Sequence, residues 1–240
     1  MSEEIKPLKI FVGWDSREDI AYKVCSYSIL KHNSSATITA LRQADLRRQG
    51  IYNRAVDSKS STEFTFTRFL VPYLQNYQGW AVFCDCDFVW DVDISELMKQ
   101  ADDRYAVMVV KHNHTPENKI KMDGQEQTQY PRKNWSSCIL WNCAHPSNQQ
   151  VTPDLVNSTT GSFLHRFQWL NDNEIGSLDT KWNFLVGWNN EKTSGKPYVY
   201  HWTEGGPWFS NYTNCEYADV WFRYLIEYAD HVGKRNEVSM

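Results

Sequence analysis

The chain has no apolar run long enough to cross a bilayer, no basic excess, no Pro-, Gly- or Ser-rich divider and no paired cysteine knuckle. Each absence excludes something. A spanning helix needs about 20 consecutive apolar residues, so no integral membrane segment is expected. Lysine and arginine number 25 against 29 acids, a formal net charge of -4, which sets up no field to attract nucleic acid. Without a divider, 240 residues suit one sizeable core. Cys84-x-Cys86 lacks the spacing of a zinc knuckle and has no second pair. Cys84, Cys138 and Cys143 sit in or beside apolar runs, which fits buried free thiols in a reducing compartment. The opening Met1–Lys6 lacks the basic and then apolar regions of a secretion leader, so the expected location is cytoplasmic.

What is present centres on Trp80-Ala81-Val82-Phe83-Cys84-Asp85-Cys86-Asp87-Phe88-Val89-Trp90, an apolar strand running into two carboxylates one residue apart. Side chains alternate faces in extended chain, so Asp85 and Asp87 share a side while Cys86 points away. Two ionised carboxylates side by side repel unless a positive charge sits between them, and hard oxygen donors suit Mg2+ or Mn2+. A lone Asp-x-Asp in a loop is more often a solvated acidic turn. Here apolar segments flank the pair on both sides, as expected at the carboxyl end of a buried strand, where open α/β sheets hold ligands.

Strands are expected at Leu8–Gly13, Thr37–Leu41, Trp80–Cys84, Tyr105–Val110, Cys138–Trp141 and Tyr198–Trp202. Helices are expected after an N-cap at Ser16, over Phe64–Tyr77 with a kink at Pro72, over Ile94–Ala101, Phe163–Leu170 and Tyr217–Tyr228. Asp45–Ser61 reads as irregular and Lys111–Lys133 as a long polar loop. Alternation of strands and helices in the first half makes this an α/β chain with a mixed sheet flanked by helices.

A late segment, Tyr200-His201-Trp202-Thr203-Glu204-Gly205-Gly206-Pro207-Trp208, adds an imidazole at a strand end and two glycines whose amides suit phosphate oxygens. Taken alone it reads more readily as an interior histidine beside a Gly-Gly-Pro turn. Together with Ile10–Gly13 and Asp15 at the start, Thr67–Pro72 upstream and Asp85-Cys86-Asp87, the order resembles glycosyltransferase family 8, the group of glycogenin and bacterial galactosyltransferases. The likeness covers about residues 8 to 210.

The resemblance implies a GT-A fold, a nucleotide-sugar donor (usually UDP-linked), Mn2+ (or Mg2+) as cofactor, and transfer of a hexose-type sugar with retention. Its acceptor would be a glycan, lipid or small molecule. By position it implies Asp85, Asp87 and His201 as metal ligands, with Gly13, Trp14, Asp15, Arg68, Asp85, Gly205 and Gly206 on the donor. Asp172 falls where the family places a polar residue beneath the anomeric carbon, and a solvated acid in a loop is the alternative. One domain over 1–232 is implied, with a donor-binding half (1–110), an acceptor-side half (111–232) and a flexible tail (233–240). Two departures stand out. Gly206 replaces the lysine that clamps the diphosphate, leaving Lys111, Lys133 and Lys192 as candidate cations, and Trp135-Ser136-Ser137-Cys138 replaces an Asn-x-Gly segment near the donor sugar. The missing lysine and abundant aromatics keep open a non-catalytic nucleotide-sugar or carbohydrate-binding protein. A metal-dependent nucleotidyltransferase is weaker, because the first loop is not Gly-rich and basic.

Overall fold

The computed structural model describes residues 8–55, 61–113 and 131–238. Among the described residues nine strands form two sheets: β1 (Lys9–Gly13), β2 (Thr37–Leu41), β3 (Trp80–Cys84), β4 (Phe88–Trp90), β5 (Val107–Val110), β6 (Cys138–Asn142), β7 (Ile175–Leu178), β8 (Phe184–Leu185) and β9 (Val199–His201). The larger sheet runs β2-β1-β3-β6-β5-β7, and the smaller β4-β9-β8. In the larger sheet all strands are parallel to one another except β6, which is antiparallel to both β3 and β5. This is the α/β mixed sheet flanked by helices that the sequence indicates, joined by a second small sheet.

Burial explains the order. In β3 Ala81 to Cys84, and in β5 and β6 every residue, are buried, as befits strands covered on both faces. Edge strand β2 alternates exposed and half-buried positions until Leu41. The helix Asp19–His32 buries Ala21, Val24, Cys25, Ser28 and Ile29. Five of the six cysteines are buried, Cys215 is half-buried, and all six are free, as their apolar surroundings suggest.

Several local expectations are corrected. Pro72 does not kink a long helix; a 3-10 turn, Thr67–Leu70, ends and a new short helix, Val71–Leu74, begins with proline in its first turn. There the missing N–H costs nothing. Left-handed Asn76 and Tyr77 (φ 50° and 54°) then stop it. Running into the stretch read as irregular, Gln43–Arg48 forms a helix that buries Leu46. The helix expected over Phe163–Leu170 starts earlier, at Gly161 under a Thr160 cap, and ends at His165 before left-handed Phe167. The last helix runs from Ala218 through Val238, so residues 233–238 are not the expected tail. One interior glycine, Gly233, costs about 1 kcal/mol, too little to end a 21-residue helix. Most of the polar stretch 111–133, namely 114–130, and the last two residues lie outside the described residues.

The two halves of the chain share one sheet. Strand β6, from the second half, lies between β3 and β5 of the first. This interleaving brings the carboxyl ends of β1 and β3 level with the amino end of β6, through the pairs Val12↔Cys84 and Cys84↔Cys138. Asp85 follows at that edge.

Candidate metal centre

Past Cys84 the chain leaves the larger sheet, bends through Asp85-Cys86-Asp87 and enters the smaller one at Phe88. The Asp85 amide donates to Ser137 O (3.0 Å), holding the bend against the entry to β6. Cys86 turns into the core, 1% exposed, which leaves both carboxylates on the opposite side. Strand β4 pairs antiparallel with β9 in the register Phe88↔His201, so an imidazole from far along the chain arrives beside the acidic pair. The Trp202 amide donates to Asp87 O (3.1 Å) and fixes that register one residue further. One ligand atom from each of Asp85, Asp87 and His201 lies within 4.8 Å of the other two.

These three fit a hard divalent cation. Donors bound to one Mg2+ lie about 2.9 Å apart when cis and about 4.2 Å when trans, so the three side chains would draw together on an ion. Oδ1 of Asp87 is buried and accepts no hydrogen bond among the described residues. A buried carboxylate oxygen without a donor is costly, and a cation is the group that relieves it. His201 is 1% exposed and stacks on Phe88 at 4.3 Å between ring centres. Its Nε2 faces Asp87 Oδ2 at 3.4 Å and its Nδ1 lies 2.8 Å from Asn183 Oδ1.

Arg68 stands beside the trio. Its guanidinium lies 2.8 Å from Asp85 Oδ1, donates to Ser136 O at 2.9 Å and sits over the rings of Phe64 and Phe83. The 3-10 turn Thr67–Leu70 buries it, leaving 5% exposed. Two carboxylates face one guanidinium here, an acidic excess that a divalent ion would reverse in favour of an anionic ligand. Behind Arg68, Ser136 Oγ meets His165 Nδ1 at 2.7 Å. Burial and the neighbouring Arg68 drive the His165 pKa down to about 3, while the Thr65 backbone works the other way.

The remaining expected residues are placed as follows. Gly13 ends β1; a Cβ there would lie 2.5 Å from the Phe64 ring, so glycine is what lets that ring pack. Trp14 donates Nε1 to Asp19 (2.9 Å) and has the Arg42 guanidinium over its ring at 4.1 Å. Asp15 is fully buried, and its carboxylate accepts from the Arg17 amide, the Arg17 guanidinium and the Glu63 amide. Burial opposes its ionisation, but the Arg17 and Glu63 donors outweigh that and hold its pKa below the usual carboxylate value. Gly205 adopts φ 111° and gives its amide to Trp202 O (2.9 Å). A Cβ on Gly206 would lie 2.2 Å from the Trp208 ring. Both glycines thus have a reason in the fold as well.

Asp172 is not brought to the trio. Its side chain is 88% exposed and pairs with Arg132, just ahead of β7. Of the candidate lysines, Lys192 lies in an exposed short helix and Lys111 donates to Ile175 O (2.7 Å), whereas Lys133 is 5% exposed, next to Asn134, whose side chain meets Thr203. Sequence reasoning missed Asn183 and Ser137. A signal for Asn183 existed: it is an uncharged polar residue inside the apolar run Trp182–Leu185.

Comparison with solved structures identifies the architecture as the GT-A glycosyltransferase fold. The apo bifunctional glycosyltransferase WbbM superposes with a TM-score of 0.63 at 14% identity, over 91% of this chain and 49% of that one. The glycosyltransferase GlyE of Streptococcus pneumoniae TIGR4 gives 0.62 at 13%, over 97% of this chain and 64% of that one. This chain therefore spans about half the length of the first and under two thirds of the second. The galactosyltransferase LgtC, solved with donor and acceptor sugar analogs, gives 0.56 at 10%, over 92% and 96% of the two chains. At the level of sequence, this chain belongs to the family of Protein CDI of Arabidopsis thaliana, with 52% identity over 231 residues, 95% of this chain and 89% of that protein. No protein-family model matches it. Among the described residues no helix is long and apolar enough to cross a membrane.

Proposed function

We propose that the protein is a metal-dependent glycosyltransferase of the family 8 type, moving a hexose-type sugar from a UDP-linked donor to an acceptor hydroxyl with retention. The observation that carries this is the convergence of Asp85, Asp87 and His201 at the carboxyl edge of a GT-A sheet. Fold alone would not suffice, since one architecture hosts many activities. Asp85, Asp87 and His201 would hold Mn2+ or Mg2+, which supplies electrostatic stabilisation of the departing diphosphate.

The chain's own groups take the other roles. Arg68, buried against Asp85, would offer the donor's oxygens a planar cation. The amide of Gly206 and the ammonium of Lys133 stand in for the lysine that the family places before Pro-Trp. Trp14 borders the nucleobase, and Asp15 acts through the loop it pins at Arg17 and Glu63. In a retaining transfer of this kind the acceptor oxygen bonds to the anomeric carbon as the sugar–phosphate bond breaks, and the hydroxyl proton passes to the departing phosphate. No strong side-chain base is required. The acceptor is a glycan, lipid or small molecule.

The test is UDP release from a panel of UDP-sugars with Mn2+ or with EDTA. The parent is expected to release UDP only with the metal, and Asp87→Ala to lose at least about 100-fold, the scale of losing an electrostatic catalytic contact. Equal release by Asp87→Ala would defeat the assignment. Replacement of the clamping lysine by Gly206 favours the second reading, a nucleotide-sugar binder. A binder at 100 times its Kd would gain about 2.7 kcal/mol, a rise of roughly 5–11 °C in Tm, without any release.

A further inference from the structure

Asn183 is fully buried at the end of the 3-10 turn Thr180–Asn183. An unsatisfied amide there costs about 1–3 kcal/mol, so its partners decide whether the residue is tolerated. Those partners form a chain whose direction is fixed. Ser137 Oγ donates to Asn134 O at 2.7 Å, which uses the only hydroxyl proton. Ser137 Oγ is then an acceptor, and Asn183 Nδ2 donates to it at 2.9 Å while also lying 3.4 Å from Asn134 O. Turning the amide over would set Asn183 Oδ1 against that carbonyl oxygen, two acceptors face to face. Asn183 Oδ1 therefore points at His201 Nδ1, 2.8 Å away, and the proton between them belongs to the imidazole. With the ring proton on Nδ1, the free lone pair lies on Nε2, the nitrogen 3.4 Å from Asp87 Oδ2.

We infer that Asn183 is a positioning residue that fixes the tautomer and ring orientation of His201, so that Nε2 is presented to the cation as a ligand. The inference rests on the metal reading proposed above and extends it beyond the three ligands. Two further contacts hold the arrangement. The Phe88 ring stacks on the imidazole, and Asn134, in the left-handed conformation at φ 63°, accepts from Thr203 Oγ at 3.3 Å, two residues after His201. The chain Asn134–Ser137–Asn183–His201 thus ties the entry of β6 to the end of β9. Partners of this kind are what give a metal-bound histidine one geometry.

The experiment combines two readouts on the purified full chain. Nitrogen-15 NMR of the histidine rings, with EDTA, reports the tautomer of His201; electron paramagnetic resonance titration reports Mn2+ affinity. The parent is expected to show the Nδ1–H tautomer. Asn183→Leu is expected to lose that preference and bind Mn2+ about 10–100-fold more weakly. Asn183→Asp retains an acceptor for Nδ1–H but sets its second oxygen against Asn134 O, so it is expected to keep the Nδ1–H tautomer at a cost in stability. Ser137→Ala, a milder change, is expected to weaken Mn2+ binding by a smaller factor and stands in if Asn183→Leu does not fold. An unchanged tautomer and Mn2+ affinity in Asn183→Leu, or in Ser137→Ala when it stands in, overturns the inference. His201→Ala separates the two readings. Parental affinity there overturns the metal assignment and the inference with it, whereas a loss there with parental affinity in Asn183→Leu overturns the role of Asn183 alone.

Discussion

Replacing Arg68 by methionine keeps an apolar stem between Phe64 and Phe83 while removing the charge that faces Asp85. The side chains of Arg68 and Asp85 are only 6% and 13% exposed, so water cannot take over the lost partner. Removing one member of such a buried pair costs about 3–5 kcal/mol, against about 0–1 kcal/mol for a surface pair. For a domain of this size that corresponds to a fall of roughly 6–20 °C in Tm. The assay is urea and thermal denaturation in EDTA of the parent, Arg68→Met, Asp85→Asn and the double variant. With both charges gone the double variant is expected to recover most of the loss, giving a coupling energy of about 2 kcal/mol or more. With excess Mn2+ the deficit of Arg68→Met is expected to shrink, because the added cation neutralises the same carboxylate. A cost below about 1 kcal/mol, or additive losses in the double variant, would refute the buried-pair reasoning.

His165 supplies a pH dependence. Its pKa is pushed down to about 3 by burial and by Arg68, so the folded state keeps it neutral while the unfolded chain takes up a proton below about 6.5. The stability it contributes is complete above pH 6.5 and is lost as pH falls toward 3, at up to about 1.4 kcal/mol per pH unit. The unfolding free energy is expected to fall about 1–2 kcal/mol further between pH 7.5 and pH 5 in the parent than in His165→Gln; equal falls would contradict this. Asp172→Asn removes an exposed pair with Arg132 and is expected to cost less than about 1 kcal/mol. UDP release by that variant is expected to stay within twofold of the parent, and a loss of 100-fold or more would return Asp172 to the reaction.

Much of the site was legible in Trp80–Trp90 because a parallel strand buried on both faces is a continuous apolar run, and its end marks the ligand edge. The alternation that sends Cys86 inward and both acids outward is likewise a property of the backbone alone. The pairing Phe88↔His201 was not legible, because a three-residue strand leaves no period to read and its partner lies more than 100 residues away. Strands β7 and β8 escaped for the same reason: Gly176 and Ser177 interrupt the first, and the second has two residues. Pro72 misled in the opposite sense, since proline breaks a helix interior yet starts a helix well. Asn183 stands out as a polar residue in an apolar run, but its pairing with Ser137 depends on the packing of a turn against a strand entry, which local sequence does not encode.

The most direct measurement is manganese anomalous scattering from crystals grown with Mn2+ and UDP. One strong peak is expected, within about 2.0–2.3 Å of carboxylate oxygens of Asp85 and Asp87 and of Nε2 of His201, with Nδ1 still on Asn183. A peak elsewhere, with the trio still spread as it is here, would contradict the account.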